Sequence, residues 1–160
     1  MKLTFGALIA VAMLSGPPAH AQDAATSPSF SRSTPEAANS TDVAGLGEIM
    51  TLQQLRHTKL WFAGHAGNWP LADYEVGELQ EGFEDVNKLL GGDTVDKEVG
   101  APIKALQQAV DDKNRAAFSA AFDKLTAGCN SCHHLLDHAF IAIQRPTLLP
   151  YSDQSFTPQK

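Results

Sequence analysis

From about residue 43 to residue 143, apolar side chains recur at intervals of three and four, the spacing that gathers them on one face of an α-helix. In the first such segment Leu46, Ile49, Met50, His57 and Leu60 form one stripe, interrupted by the polar Gln53, while Leu52, Leu55, Phe62 and Ala63 form a second stripe on another side. No proline interrupts the run, so a helix over about 43–66 is expected, and the two stripes leave its rotation about its own axis open. Asn68, Trp69 and Pro70 end it, because proline disfavours helical geometry in the residue before it and suits the first turn of a new helix.

The second segment carries Val76, Leu79, Phe83, Val86 and Leu90, with Glu75, Glu78, Glu81, Glu84 and Asp85 expected on its solvated side, and Gly91 and Gly92 close it. Pro102 is expected to open a shorter third helix through Ile103, Leu106 and Val110, and Asp111 to Asn114 supply the next turn and cap. The last helix is the longest: Phe118, Phe122, Leu125, Cys129, Cys132, Leu136, Ala139 and Ile143 keep the spacing until Pro146. Four helices on short links, with no alternating β-branched run, predict an all-α fold, an antiparallel four-helix bundle over 42–146.

The flanks read differently. Lys2, an apolar run from Leu3 to Leu14, Ser15, Gly16 and two prolines precede Ala19 and Ala21, the small residues expected before a cut at Gln22, so 1–21 reads as a secretory signal peptide. That apolar run is shorter than the ~20 residues a membrane span needs, so no membrane span is expected. Residues 22–41 are rich in Ser, Ala, Pro and Thr and read as a flexible leader, because they hold too little apolar surface to offset the entropy of ordering. Residues 147–160, with Pro150 and Pro158, form a tail without helical pattern. With 160 residues, 43% of them apolar, the chain supports one core and not two. The formal charge of -6 leaves no basic surplus with which to neutralise phosphates, so nucleic acid is not an expected partner.

The only two cysteines stand together in Cys129-Asn130-Ser131-Cys132-His133. This is the attachment sequence for c-type haem: two thiols add across the haem vinyl groups as thioethers and the adjacent imidazole binds the iron. On a helix, positions three and four apart share a face, so the three side chains reach the same side of one macrocycle. A redox-active dithiol is a competing reading, but such a pair usually sits at a helix N-terminus. Zinc bound by Cys129, Cys132, His133 and His138 would normally draw ligand pairs from two segments. A disulfide would have to distort the connecting helical turn.

Taken together, a signal peptide, four helices and a single Cys-x-x-Cys-His in the last of them, preceded by Phe122, Leu125 and Gly128, resemble the class II c-type cytochromes, the cytochrome c-prime group, over about 43–143. The resemblance implies a four-helix bundle with one covalently attached haem c per chain, Cys129 and Cys132 at the thioethers and His133 as the proximal iron ligand. It also implies a periplasmic location, a frequent homodimer, and either electron transfer to a redox partner protein or binding of small gases. Many five-coordinate members carry an aromatic and then a basic residue three and four places after the ligand, where this chain has Leu136 and Asp137, which shifts the expectation toward electron transfer.

The opposite face of the iron is expected to be met by helix 1, at a level near Gln53, with Met50 and His57 two turns apart on one face and bracketing that level. Family register favours Met50 as distal ligand, His57 is its rival, and an open sixth position lined by Leu46, Ile49 or Leu60 is the third arrangement. Arg56, Lys59 and Lys124 are candidate partners for the haem propionates. No grouping of nucleophile, base and orienting residue is recognisable, so an electron carrier is expected in place of an enzyme, with a gas-binding or gas-sensing haem protein as the alternative.

Overall fold

Caps and stop signals divide residues 45–160, those described by the computed structural model, into α1 (Leu46–Ala66), α2 (Trp69–Leu90), α3 (Thr94–Asp111) and α4 (Arg115–Leu135). The expected signal peptide, the leader and the start of a helix at residue 43 lie outside the described residues. Gly67 and Gly91 end α1 and α2 in the left-handed conformation, φ 77° and 70°, which glycine adopts without a Cβ penalty. Asn68 caps α2 by accepting the Leu71 N–H, and Asn114 caps α4 by accepting the N–H groups of Ala116 and Ala117. There is no strand among the described residues, and none of their helices is long and apolar enough to cross a membrane.

Links of two or three residues reverse the chain between helices, and the side-chain pairs confirm the antiparallel sense. Moving back along α1 goes with moving forward along α4: Gly64 lies under the Phe118 ring, Trp61 meets Phe122 and His57 meets Thr126. Likewise α1 and α2 pair through Lys59 with Glu75, Arg56 with Glu78 and Gln53 with Leu79. Asn87 with Val95 and Asp73 with Gln107 tie α2 to α3. Leu60, Leu79, Leu106, Phe118, Phe122 and Leu125 form the centre of the core, all essentially inaccessible to solvent. At one end the aromatic rings interlock, Trp61 5.0 Å from Phe122 and Trp69 edge-on to Phe118 at 6.1 Å.

Three expectations change. Pro102 lies inside α3, which starts at Thr94, because Val95 and Val99 extend the apolar stripe of Ile103, Leu106 and Val110 backward. The missing N–H of Pro102 leaves the Glu98 carbonyl without its helical donor. That carbonyl faces Gly128 of α4, where a Cβ would lie only 2.6 Å from the oxygen. Second, α4 stops at Leu135: Asp137 takes a left-handed turn, φ 59°, and the chain reverses, so Ala139 and Ile143 do not continue its face. Third, Glu75 is buried and not on a solvated surface, because Lys59 arrives from α1 to pair with it, while Arg56 binds Glu78 at 2.7 Å. Burial raises the Glu75 pKa, against the opposing pull of Lys59.

After the turn at Asp137 the chain runs back over the bundle. Arg145 bonds both Asp123 oxygens at 2.6 Å and lies over the Trp61 ring, 4.4 Å from its centroid. The tail ends with Phe156 buried against Phe62, ring centroids 5.9 Å apart, and Asn68 donating to the Thr157 carbonyl.

The close approach at Gly128 leads to a mutational expectation. Alanine there gains about 1 kcal/mol of helix propensity, yet the clash is with backbone and not with a movable side chain. Gly128→Ala is therefore expected to destabilise the fold by roughly 1–3 kcal/mol, read as a lower denaturation midpoint.

Candidate functional site

The helices α1 and α4 touch mainly at the aromatic end and part toward the start of α1. Between them opens a cavity of about 430 Å³, within the ~300–1,000 Å³ range of small-molecule and cofactor pockets. Its lining is largely apolar: Leu46 and Met50 from α1, Leu79, Phe83 and Val86 from α2, Val95 and Val99 from α3, and Leu125 from α4. Ile141 and Ile143, brought back by the reversal at Asp137, form the remaining wall.

Cys129, Cys132 and His133 all reach this cavity from α4, as their spacing of three and four requires. His133, partly buried, donates Nδ1–H to the Ile141 carbonyl at 2.7 Å, an arrangement that in the neutral ring leaves the lone pair on Nε2. The cysteines are not bonded to each other. Burial pushes the Cys129 thiol up to about 12 and the Cys132 thiol upward as well, so neither is a thiolate near neutrality. Both sit toward the C-terminal end of α4, where the helix dipole gives a thiolate no support. These are not the surroundings of a reactive dithiol. Among the described residues no three His, Cys, Asp or Glu side chains converge as metal ligands, so the donor set a structural zinc requires is not assembled.

Both residues suggested for the far side line the cavity, and the structure resolves the rotation of α1: Ile49, Gln53, His57 and Leu60 are buried, whereas Leu52 is 46% exposed. Gln53 satisfies its amide by donating to the Leu79 carbonyl at 2.8 Å and accepting from Arg56 at 3.0 Å. His57 lies 2.8 Å by Nε2 from the Thr126 hydroxyl, which itself donates to the Phe122 carbonyl at 2.9 Å. The Thr126 oxygen is thus the acceptor and His57 the donor, which commits Nε2 to α4. Met50 is partly buried against the core and lines the cavity.

The His57–Thr126 pair also sets the level. Two turns back along α1 from His57 stands Met50, and two turns on along α4 from Thr126 stands His133. Met50 therefore stands opposite His133, one turn earlier than the level near Gln53 expected from the sequence. The expectation assumed a longer α4; with the helix ending at Leu135, His133 sits in its last turn and faces the first turns of α1.

None of the three candidate cations lines the cavity. Arg56 and Lys59 are engaged by Glu78 and Glu75, and Lys124 is exposed and outside the cavity lining. His138 does reach the cavity wall, while His134 is exposed. Thr126, Ile141 and Ile143 were not singled out as site residues by sequence reasoning, because their roles depend on the level of α1 and on the chain reversal. No protein-family model matches the chain, and no match is found among curated proteins or solved structures.

Burial beside Phe122, ring centroids 4.3 Å apart, lowers the His57 pKa from 6.5 to about 4. Between those values the unfolded chain binds a proton that the folded chain does not, so stability is full above about 6.5 and declines as pH falls toward about 4. The loss is expected to reach roughly 3 kcal/mol. Denaturant titrations across this window should show that His57→Leu removes that part of the slope.

Proposed function

We propose that this chain is an exported monohaem c-type cytochrome whose role is single-electron transfer. The observation that carries the proposal is the placement of the whole attachment sequence, Cys129, Cys132 and His133, on one wall of an apolar cavity, with Met50 level with His133 on the opposite side. The residues present fit a flat apolar group held by thioethers. Buried thiols of raised pKa are poor redox groups, and they lie where covalent attachment needs them.

The size of the cavity supports the same reading. A volume of about 430 Å³ lies in the ~300–1,000 Å³ range of small-molecule and cofactor pockets. Leu79, Phe83, Val86 and Val99, themselves buried, line the cavity with apolar surface on which an apolar group would pack.

When bound, haem supplies an iron that takes up and gives back one electron. His133 offers Nε2 from the proximal wall, with its ring held by the Ile141 carbonyl. Met50, which lines the opposite wall, would offer a thioether sulfur, a ligand that raises reduction potential and suits a carrier. His57 holds α1 to α4 through Thr126 and keeps the neutral form. The walls of α2 and α3 keep water from the apolar interior, and the acidic surface of the chain favours a basic redox partner.

Haem is expected to stay with the polypeptide on a denaturing gel and to resist acid-acetone extraction; replacing both Cys129 and Cys132 by alanine should abolish this. Extractable haem, or zinc in the purified protein, would overturn the proposal.

The ferric protein should be low-spin, with a sulfur-to-iron charge-transfer band that disappears in Met50→Ala and survives in His57→Ala. A high-spin ferric spectrum together with rapid carbon monoxide binding to the reduced protein would replace electron transfer with gas binding.

A further inference from the structure

Asn130, the first of the two residues between the cysteines, makes a reciprocal pair with the returning chain. Its Nδ2 donates to the Ile143 carbonyl at 2.8 Å and its Oδ1 accepts the Ile143 N–H at 2.7 Å. Such a pair satisfies both main-chain groups of Ile143 and specifies the position of the returning segment relative to α4. Two residues earlier in that segment, the Ile141 carbonyl accepts Nδ1–H from His133. Ser131, the other intervening residue, is exposed.

We propose that Asn130 is a positioning residue for the proximal ligand: by clamping Ile143 it holds the Ile141 carbonyl on Nδ1 of His133, and so sets the tautomer, orientation and donor strength of the ring. This rests on the haem reading above. A hydrogen bond from Nδ1–H raises the basicity of the ligating nitrogen, and a more basic ligand favours the oxidised state. The attachment sequence thus supplies a fourth working residue, which acts through the backbone of the chain that follows it.

The clamp also explains how an exposed connection can hold a ligand. Phe140 is 81% exposed and Ile141 41% exposed, so burial alone does little to fix this segment. Arg145 secures it further along, on Asp123 and Trp61. On its near side the turn is held by main-chain bonds, Ile141 N–H to the His138 carbonyl at 2.9 Å and His138 N–H to the His133 carbonyl at 2.7 Å, and on its far side Asn130 is the side chain that fastens it to α4.

The test uses the holoprotein. Wild type, Asn130→Leu, Asn130→Asp and Ile143→Pro are compared, with Ser131→Ala as the control. Asn130→Leu keeps the approximate side-chain size and removes both bonds; Asn130→Asp keeps the acceptor for the Ile143 N–H and loses the donor. Ile143→Pro removes the N–H from the other side and leaves the attachment sequence intact, so it carries the test if Asn130→Leu impairs haem attachment. Asn130→Leu and Ile143→Pro are expected to shift the midpoint potential to more positive values and to speed solvent exchange of the His133 Nδ1 proton, seen by NMR, at least tenfold. Asn130→Asp should fall between, and Ser131→Ala should match wild type.

Haem-loaded variants with unchanged potential and unchanged Nδ1 proton exchange would overturn the positioning role while leaving the haem reading in place. Wild-type protein without covalent haem on a denaturing gel would overturn the haem reading, and this inference with it.

Discussion

The contact of α1 with α4 at His57, Phe122 and Thr126 sets the geometry of the site. One hydrogen bond and one ring contact at 4.3 Å join the two helices on the inner face, next to the interlocked Trp61, Phe118 and Phe122. Packed aromatic rings at one end and divergence at the other leave a cavity, and the His57–Thr126 pair decides which residues face each other across it. Because the helices are antiparallel, each turn back along α1 matches a turn forward along α4, and two turns bring Met50 and His133 to the same level. A polar residue in the middle of a core stripe thus serves as the registration point for two residues that it does not touch.

The second determinant is the end of α4. A helix continued to residue 143 would carry its apolar side chains along one line and leave that side of the cavity without a wall. Instead, the left-handed turn at Asp137 folds the chain back, and Ile141 and Ile143 close the cavity while the Ile141 carbonyl meets His133. The last carbonyls of the helix accept main-chain N–H groups of Leu136, Asp137 and His138, and Asn130 of α4 satisfies both main-chain groups of Ile143. The same reversal lets Arg145 reach Asp123 and Trp61, so the segment that borders the site is also fastened to the aromatic end of the bundle.

Charge is organised separately from the cavity. Arg56 and Lys59 meet Glu78 and Glu75 along the α1–α2 seam, with Gln53 bridging from Arg56 to the Leu79 carbonyl. Glu75 is wholly buried, and a buried carboxylate is tolerable only with a cation beside it, so Lys59 has a structural task. The polar groups at the cavity itself are uncharged or imidazole groups, those of Thr51, Gln53, Gln54, Cys129, Cys132 and three histidines, and the rest of its lining is apolar.

Four helical segments, the breaks at Asn68–Pro70 and at Gly91, and the shared face of Cys129, Cys132 and His133 were legible in the sequence, because each depends on residues within two turns of one another. The two apolar stripes of α1 did not specify which side turns inward; packing against Leu79 and Thr126 decided that, and buried Gln53 with His57 while leaving Leu52 outside. Periodicity carried α4 to residue 143 and began α3 at Pro102, since a local pattern registers neither a chain reversal stabilised from Asn130 nor a stripe that passes through a proline. The charged side of α2 looked solvated until Lys59 arrived from another helix. Local spacing determined the helices and the shared face of Cys129, Cys132 and His133; contacts between residues far apart in the chain decided rotation, level and closure, because those energies arise only when the helices meet.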